Sequence, residues 1–432
     1  MSEHSFYTDM AIRCLDEDDR EVWRHVSDAI IDDYCTWPDQ YFDPSQYRRI
    51  APYQLVIDEL PFHYPPPSHA HYHWRMVEND SGPQLEPTSE EPNRNWQFMR
   101  DGIKHYLTTI IDDLSAGRSD DAARRLGILL HVMQETHELH ALEGPWGTDL
   151  FVLDRLLQWP GGDEYLSPTL LFTKHMSSCR EGSISGYKPR LHGASIDEAV
   201  LRLYWEYVNA DLSNRLLHVP IAQALIRADH DTANRLFGQI NERVAKLSAD
   251  VIHTVTALST DRFDPSELSA LSQLSLDPMA AVHRPWVARG IYRFTPFVPG
   301  ACLDRQRRRH PMCLRQPDGS TRQFTDGWGS GAHVHLPLAF DIPSGVYHRL
   351  TAQIGLHDPL GNGGCVDLAV TVDAKPVVGH RLKAASPTIA VDVPIHDGGQ
   401  VRFVLSEVSG SDPNSNNIVW GNPVLSKSTF EE

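Results

Sequence analysis

Near residues 265–290 the spacing of apolar residues changes from a helical to a strand period, and a single core does not follow from both. Up to about residue 280 the apolar positions recur three and four apart, which builds helices with one buried face. Residues 9–35 do this with Met10, Ile12, Leu15, Val22, Val26, Ile30 and Ile31, and residues 96–116, 119–136, 195–218 and 231–258 follow suit. Ser195-Ile-Asp-Glu198 reads as a capping box at the head of one of them. After about 285 come short β-rich pieces broken by Gly, Pro, Asn and Asp: 333–340, 347–354, 365–372, 388–393, 401–407 and 418–425. Strands of that length, with turn signals about every 8–12 residues, predict an antiparallel sandwich. Asp264-Pro265 and Asp277-Pro278 interrupt the helical pattern at the join. The expected organisation is a mainly α domain over 1–280 and an all-β sandwich over 285–430. Between the first helical groups, residues 58–95 are rich in Pro, His and polar residues, which marks a functional or disordered loop.

Composition narrows the function more than the fold. A chain of 432 residues exceeds one typical core. Its formal charge of −18 argues against general affinity for nucleic acid or anionic membrane, which need basic surface. No apolar run approaches the length of a transmembrane helix. The N-terminal stretch lacks a basic region followed by an apolar one, so no secretory signal is read and a cytoplasmic location is expected. The six cysteines form no C-x-x-C pair, and free thiols are the default. Histidines number 23 and cluster twice before residue 141.

One cluster lies in the apolar run Leu126-Gly-Ile-Leu-Leu-His131-Val-Met-Gln-Glu135-Thr-His137-Glu-Leu-His140-Ala-Leu. On a helix, residues four apart share a face, so His131 and Glu135 meet one turn apart. A buried imidazole and carboxylate are costly without partners, and one borderline-soft cation such as zinc would serve both. The plain alternative is a half-exposed helix end whose polar residues are solvated. The second cluster, Ser-His69-Ala-His71-Tyr-His73-Trp, places His71 and His73 on one face of an extended strand. His253, on an apolar helical face, reads as a satisfied core histidine. No P-loop, G-x-G-x-x-G or G-x-S-x-G signature is present.

The helical half resembles the zinc-dependent phospholipase C superfamily, which includes single-strand-specific zinc nucleases. Its long buried helix reads roughly G-x-x-x-H-Y-x-x-D, followed by a Pro-Leu/Met-His-Ala turn. Here Gly127-Ile-Leu-Leu-His131-Val-Met-Gln-Glu135 matches the helix, with Glu135 where aspartate is usual, and Leu139-His140-Ala141 matches the turn. The resemblance implies a phospholipase C-like bundle and zinc ligands among His4, Asp39, His71, His73, His131, Glu135 and His140, with Asp39 and Glu135 in catalytic roles. For His140 to join, the helix must stop early, because nine helical residues would turn it about 180° from His131. The family's later ligands have no clear counterpart; His175 and Glu143 are the nearest candidates. The C-terminal half resembles the NPCBM carbohydrate-binding module, a jelly-roll-like sandwich. Gly331-Ala-His333, Gly345-Val-Tyr347-His-Arg-Leu350, Ile354-Gly-Leu-His-Asp358, Val370-Thr-Val-Asp373 and Trp420-Gly-Asn-Pro423 carry that likeness. Trp420 and Tyr347 read more readily as core than as sugar platforms.

Together these imply a zinc-dependent hydrolase of phosphate esters, a small molecule or phospholipid, with a sandwich that docks on a glycan or partner. The alternative is a non-catalytic metal-containing helical scaffold carrying a glycan- or protein-binding sandwich. A sugar-active lyase would need a Tyr/His or paired-carboxylate constellation that no motif here supplies.

Overall fold

The structure, a computed structural model, describes residues 2–43, 48–53, 74–79, 82–87, 93–137, 174–278, 297–306, 308–331, 335–395 and 398–427. The chain divides into two compact units, Met1–Leu268 and Ser269–Glu432.

The helical unit opens with α1 (Glu3–Cys14), α2 (Glu17–Trp23) and α3 (Ser27–Asp32). The apolar period over 9–35 therefore belongs to three helices. Leu15 is extended, and the Asp16 carboxylate accepts from the Asp19 amide at 2.9 Å, so an N-cap starts a new helix where the period alone would continue the old one. A 3₁₀ turn at Tyr34–Thr36 leads into the single turn α4 (Trp37–Gln40), which has Pro38 at its start. Strand β1 (Phe42–Asp43) pairs with β2 (Arg48–Arg49), and β3 (Trp74–Asn79) pairs with β4 (Gly82–Pro87). The second hairpin lies within the stretch read as a loop.

Helices α5 (Asn93–Ser115) and α6 (Ser119–Gln134) follow as a pair. Buried Asp113 pins their join, accepting from Arg118 at 2.6 and 2.9 Å and from Arg125. The long helices α7 (Ile196–Ile226) and α8 (His230–Thr260) are joined by the short turn 227–229. Ser195 caps α7, and Glu198 reaches back to the Ala194 amide at 3.1 Å, one residue earlier than a standard capping box. α7 continues through Pro220, which the sequence pattern would take as a stop. Proline removes one helical hydrogen bond, here on the flank where Leu216 and Val219 stand exposed to water. Helix α8 buries Phe237, Ile240, Val244, Val251 and Val255, with Tyr7 of α1 packed against its first half. The short α9 (Pro265–Ala270) comes last.

The second unit is all-β. Its strands are β5 (Gln273–Ser275), β6 (Phe297–Pro299), β7 (Cys302–Leu303), β8 (Arg309–His310), β9 (Met312–Arg315), β10 (Thr321–Phe324), β11 (Gly327–Gly331), β12 (His335–Ile342), β13 (Arg349–Leu356), β14 (Cys365–Val372), β15 (Lys375–Lys383), β16 (Ile389–Pro394), β17 (Gly399–Glu407) and β18 (Asn417–Ser426). One sheet runs β16-β13-β18-β11-β6 with β5 also on β18, and the other runs β12-β17-β14-β15, all antiparallel. Burial alternates along β14 and β17, as one-sided packing requires. The sheets meet where Phe403 of β17 stands edge-on to Trp420 of β18 at 5.2 Å, and Trp420 stacks on Trp328 at 5.6 Å. Trp420 and Tyr347 are 1% and 0% exposed, so both are core residues and neither offers a face to a sugar. β5 lies ahead of residue 280, yet pairs into the sandwich.

Candidate metal centre

Three elements of the helical unit bring four ligating side chains to one point. His131 and Glu135 stand at the C-terminal end of α6, His4 in the first turn of α1, and Asp39 in α4. One ligand atom from each lies within 4.8 Å of all the others. His131 Nε2 is 2.9 Å from Glu135 Oε1 and 3.6 Å from Asp39 Oδ1; His4 Nε2 is 3.5 Å from Asp39 Oδ2 and 3.8 Å from Glu135 Oε1. The two imidazoles stack with centroids 3.9 Å apart. His4, His131 and Glu135 are buried, whereas the Asp39 side chain is 51% exposed, so the cluster opens to solvent on that side.

The hydrogen bonds around the cluster fix which nitrogen faces inward. The Cys35 carbonyl, 2.8 Å from His131 Nδ1, can only accept, so Nδ1 carries the proton. His4 Nδ1 lies 3.0 Å from Gln134 Oε1. Ser248 donates its hydroxyl proton to the Val244 carbonyl and so accepts from Gln134 Nε2, which leaves Oε1 to face His4. His4 therefore also donates from Nδ1. Burial pushes both imidazoles down, and His131 adds to the effect on His4, whose pKa falls to about 4. Both rings are thus neutral near pH 7, with Nε2 lone pairs aimed at carboxylate oxygens. His131 Nε2 makes no hydrogen bond of normal geometry although Glu135 is 2.9 Å away. Acceptors facing acceptors at these distances call for a shared proton or a cation.

The donor set fits zinc. Two imidazole nitrogens and two carboxylates suit a borderline ion better than calcium or magnesium, which prefer all-oxygen shells. Four N/O donors at zinc bond lengths in a tetrahedron stand about 3.3–3.4 Å apart; the four imidazole–carboxylate separations are 2.9–3.8 Å, and one atom from each residue lies within 4.8 Å of the rest. The outward N–H bonds to Gln134 and Cys35 are the kind that orient metal-binding histidines.

The glycine of the G-x-x-x-H pattern has a local explanation. A Cβ on Gly127 would lie 2.5 Å from Tyr34 Cβ and 2.9 Å from the Cys35 nitrogen. Only glycine lets the Tyr34–Cys35 backbone approach α6 closely enough for the Cys35 carbonyl to reach His131, one turn on. Of the residues expected from sequence, His4, Asp39, His131 and Glu135 converge; His71, His73, His140 and Glu143 lie outside the described residues. His175 does not join the cluster, since its ring bonds Asn234 at 2.7 Å and stacks on His230. The sequence reading missed Gln134, which lies inside the motif, and the Cys35 carbonyl, 96 residues from His131, which no local signal marked.

A Tyr/His/carboxylate constellation, absent as a motif, is present in space. Asp250 of α8, 1% exposed, accepts from Tyr187 Oη at 2.8 Å, the Arg190 amide at 2.8 Å, His192 Nε2 at 3.0 Å and Arg190 Nη2 at 3.1 Å. Burial and then Asp250 push the Tyr187 hydroxyl up, which keeps the phenol protonated. Every group there is engaged in holding residues 187–192 on α8. His253 is also engaged, with Asp19 at 2.6 Å and Glu267 at 3.1 Å, as a satisfied core histidine should be.

Residues 303–426 match the NPCBM/NEW2 domain family. No curated protein matches the chain. Among solved structures, it is similar to CBM51 from Clostridium perfringens GH95 in complex with methyl-galactose, at 15% identity over 33% of this chain and 100% of that one, with a TM-score of 0.27. Tandem CBM51 modules of a family 98 glycoside hydrolase from Streptococcus pneumoniae match at 13% identity over 33% of this chain and 44% of that one, with a TM-score of 0.29. CBM51-2 with GlcNAc and INT domains from Clostridium perfringens ZmpB matches at 15% identity over 27% and 25%, with a TM-score of 0.25; the match thus spans a quarter of that chain. The C-terminal sandwich thus carries an NPCBM/NEW2-type domain over residues 303–426.

Proposed function

We propose that the helical unit is a zinc-dependent hydrolase of phosphate esters and that the NPCBM-type sandwich docks it on a glycan. One observation carries the catalytic part: His4 and His131 both tie their N–H groups outward and turn Nε2 toward Asp39 and Glu135. A zinc ion held by His4, His131 and Glu135 would supply Lewis acidity and keep an open position for water, beside which Asp39 stands. Glu135 and the two histidines, all buried, hold the inner side of the site rigid. Asp39, half in water, sits where substrate would enter and can take a proton from an attacking water. The phosphate-ester class rests on the resemblance of Gly127 to Glu135 and of Leu139-His140-Ala141 to zinc-dependent phospholipases C. The docking role rests on the family match of residues 303–426.

The test is elemental mass spectrometry on untagged protein, wild type beside His131→Ala, with a chromogenic phosphodiester assay on both. At least one zinc per chain and measurable turnover, both lost in His131→Ala, are expected. A wild type without metal and a folded variant would remove the catalytic reading. Zinc without turnover would favour the non-catalytic scaffold.

A further inference from the structure

We infer that Gln134 is a positioning residue that selects the metal-binding tautomer of His4; the inference deepens the zinc reading and rests on it. Gln134 is fully buried between the two α6 ligands and joins three helices. Its Oε1 faces His4 Nδ1 on α1, and its Nε2 donates to Thr8 Oγ1 of α1 at 2.9 Å and to Ser248 Oγ of α8 at 3.2 Å. An amide has one acceptor end and one donor end. With Ser248 committed as donor to Val244, the Gln134 amide cannot turn over without placing its N–H₂ against His4 Nδ1. In that reversed state His4 would carry its proton on Nε2, the atom 3.5 Å from Asp39 and 3.8 Å from Glu135. A protonated Nε2 has no lone pair for a metal. His131 needs no such device, because a backbone carbonyl holds its Nδ1. The two histidines are therefore set by different means, one by the main chain and one by a side chain that mutation can reach.

The experiment labels histidine with ¹⁵N and reads ring tautomers by long-range ¹H–¹⁵N correlation in metal-free protein, wild type beside Gln134→Met and Gln134→Glu. His4 should be Nδ1–H in the wild type and shift to Nε2–H in Gln134→Met, while His131 stays Nδ1–H in both. Zinc affinity by chelator competition should fall about 10–100-fold in Gln134→Met. Gln134→Glu, which restores an acceptor opposite Nδ1, should recover the tautomer and most of the affinity. His4 remaining Nδ1–H in Gln134→Met, or an affinity within about twofold of wild type, overturns the assignment. If Gln134→Met does not fold, Ser248→Ala serves, since it frees the amide to turn: mixed His4 tautomers support the assignment and a wild-type spectrum overturns it. A wild type that takes up no zinc would defeat the metal reading alone, because the tautomer is read without metal.

Discussion

Among the described residues of the helical unit, two imidazole–carboxylate clusters, one around Asp250 and one around His4 and His131, are built with opposite polarity. Around Asp250, donors point inward: a phenol, a guanidinium, a backbone amide and an imidazole N–H surround one carboxylate. Around His4 and His131, the donors point outward to Gln134 and Cys35, and acceptors face one another across the centre. The first arrangement is complete as it stands, because a buried charge with paired hydrogen bonds repays its desolvation. In the second, two imidazole Nε2 atoms and two carboxylates face one another. Composition does not separate a structural knot from a candidate reaction centre here; the direction of the hydrogen bonds does.

The largest effect should come from reversing the polarity of the complete cluster. Asp250→Asn would set an N–H₂ group against the donors of Tyr187, Arg190 and His192, leaving buried His192 and the half-buried Tyr187 hydroxyl short of an acceptor. It should destabilise the protein by about 3 kcal/mol, read by urea unfolding. A cost below about 1 kcal/mol would mean the cluster rearranges freely and its inward donors do not matter.

That polarity was barely legible in the sequence. His131 and Glu135 were visible because a helix spaces them four apart. His4 and Asp39 emerged only through resemblance, since α1 and α4 have no local pattern that announces a ligand. Gln134 is the kind of residue sequence reading passes over: a polar side chain in an apolar run, meaningful only once Thr8 and Ser248 are seen around it. Asp250 and His192 are 58 residues apart, and the stretch bearing His192 has no period to place it. In the sandwich, the strands expected over 333–425 appear as β12, β13, β14, β16, β17 and β18, whereas short β9, with one buried face, was not expected. β15 was missed because it is an edge strand exposed on nearly every residue, so it carries no alternation. The helical period over 9–35 does not show where one helix ends and the next begins, because the break is made by a single cap at Asp16.

A fourth histidine tests whether inward carboxylates alone are enough. His253 has Asp19 on one nitrogen and Glu267 on the other. Burial pushes it down, but the Asp19 hydrogen bond and the charges of Asp19 and Glu267 outweigh burial and raise it to about 9. Its folded pKa thus exceeds the unfolded value, so its stabilisation is full below pH 6.5 and is lost as pH rises through 9. Partial solvation of Glu267, and the upward push of burial on Asp19, reduce the yield to about 2 kcal/mol. Urea unfolding from pH 6 to 10 should show that loss in wild type and not in His253→Gln. Parallel curves for the two proteins would mean that no imidazolium is held there.

The smallest effect is the most discriminating, because its sign reverses. Glu135→Gln is the same carboxylate-to-amide change as Asp250→Asn, made in the cluster whose donors point outward. The new amide N–H₂ would face His131 Nε2, now an acceptor 2.9 Å from an acceptor, and give it a hydrogen bond. Metal-free protein should gain about 1 kcal/mol, while zinc affinity falls because one charged ligand is gone. If Glu135→Gln instead destabilises the metal-free protein, the centre already holds a proton that bridges His131 and Glu135. The two clusters would then differ in degree rather than in kind, and the claim that one of them awaits a cation would lose its physical basis.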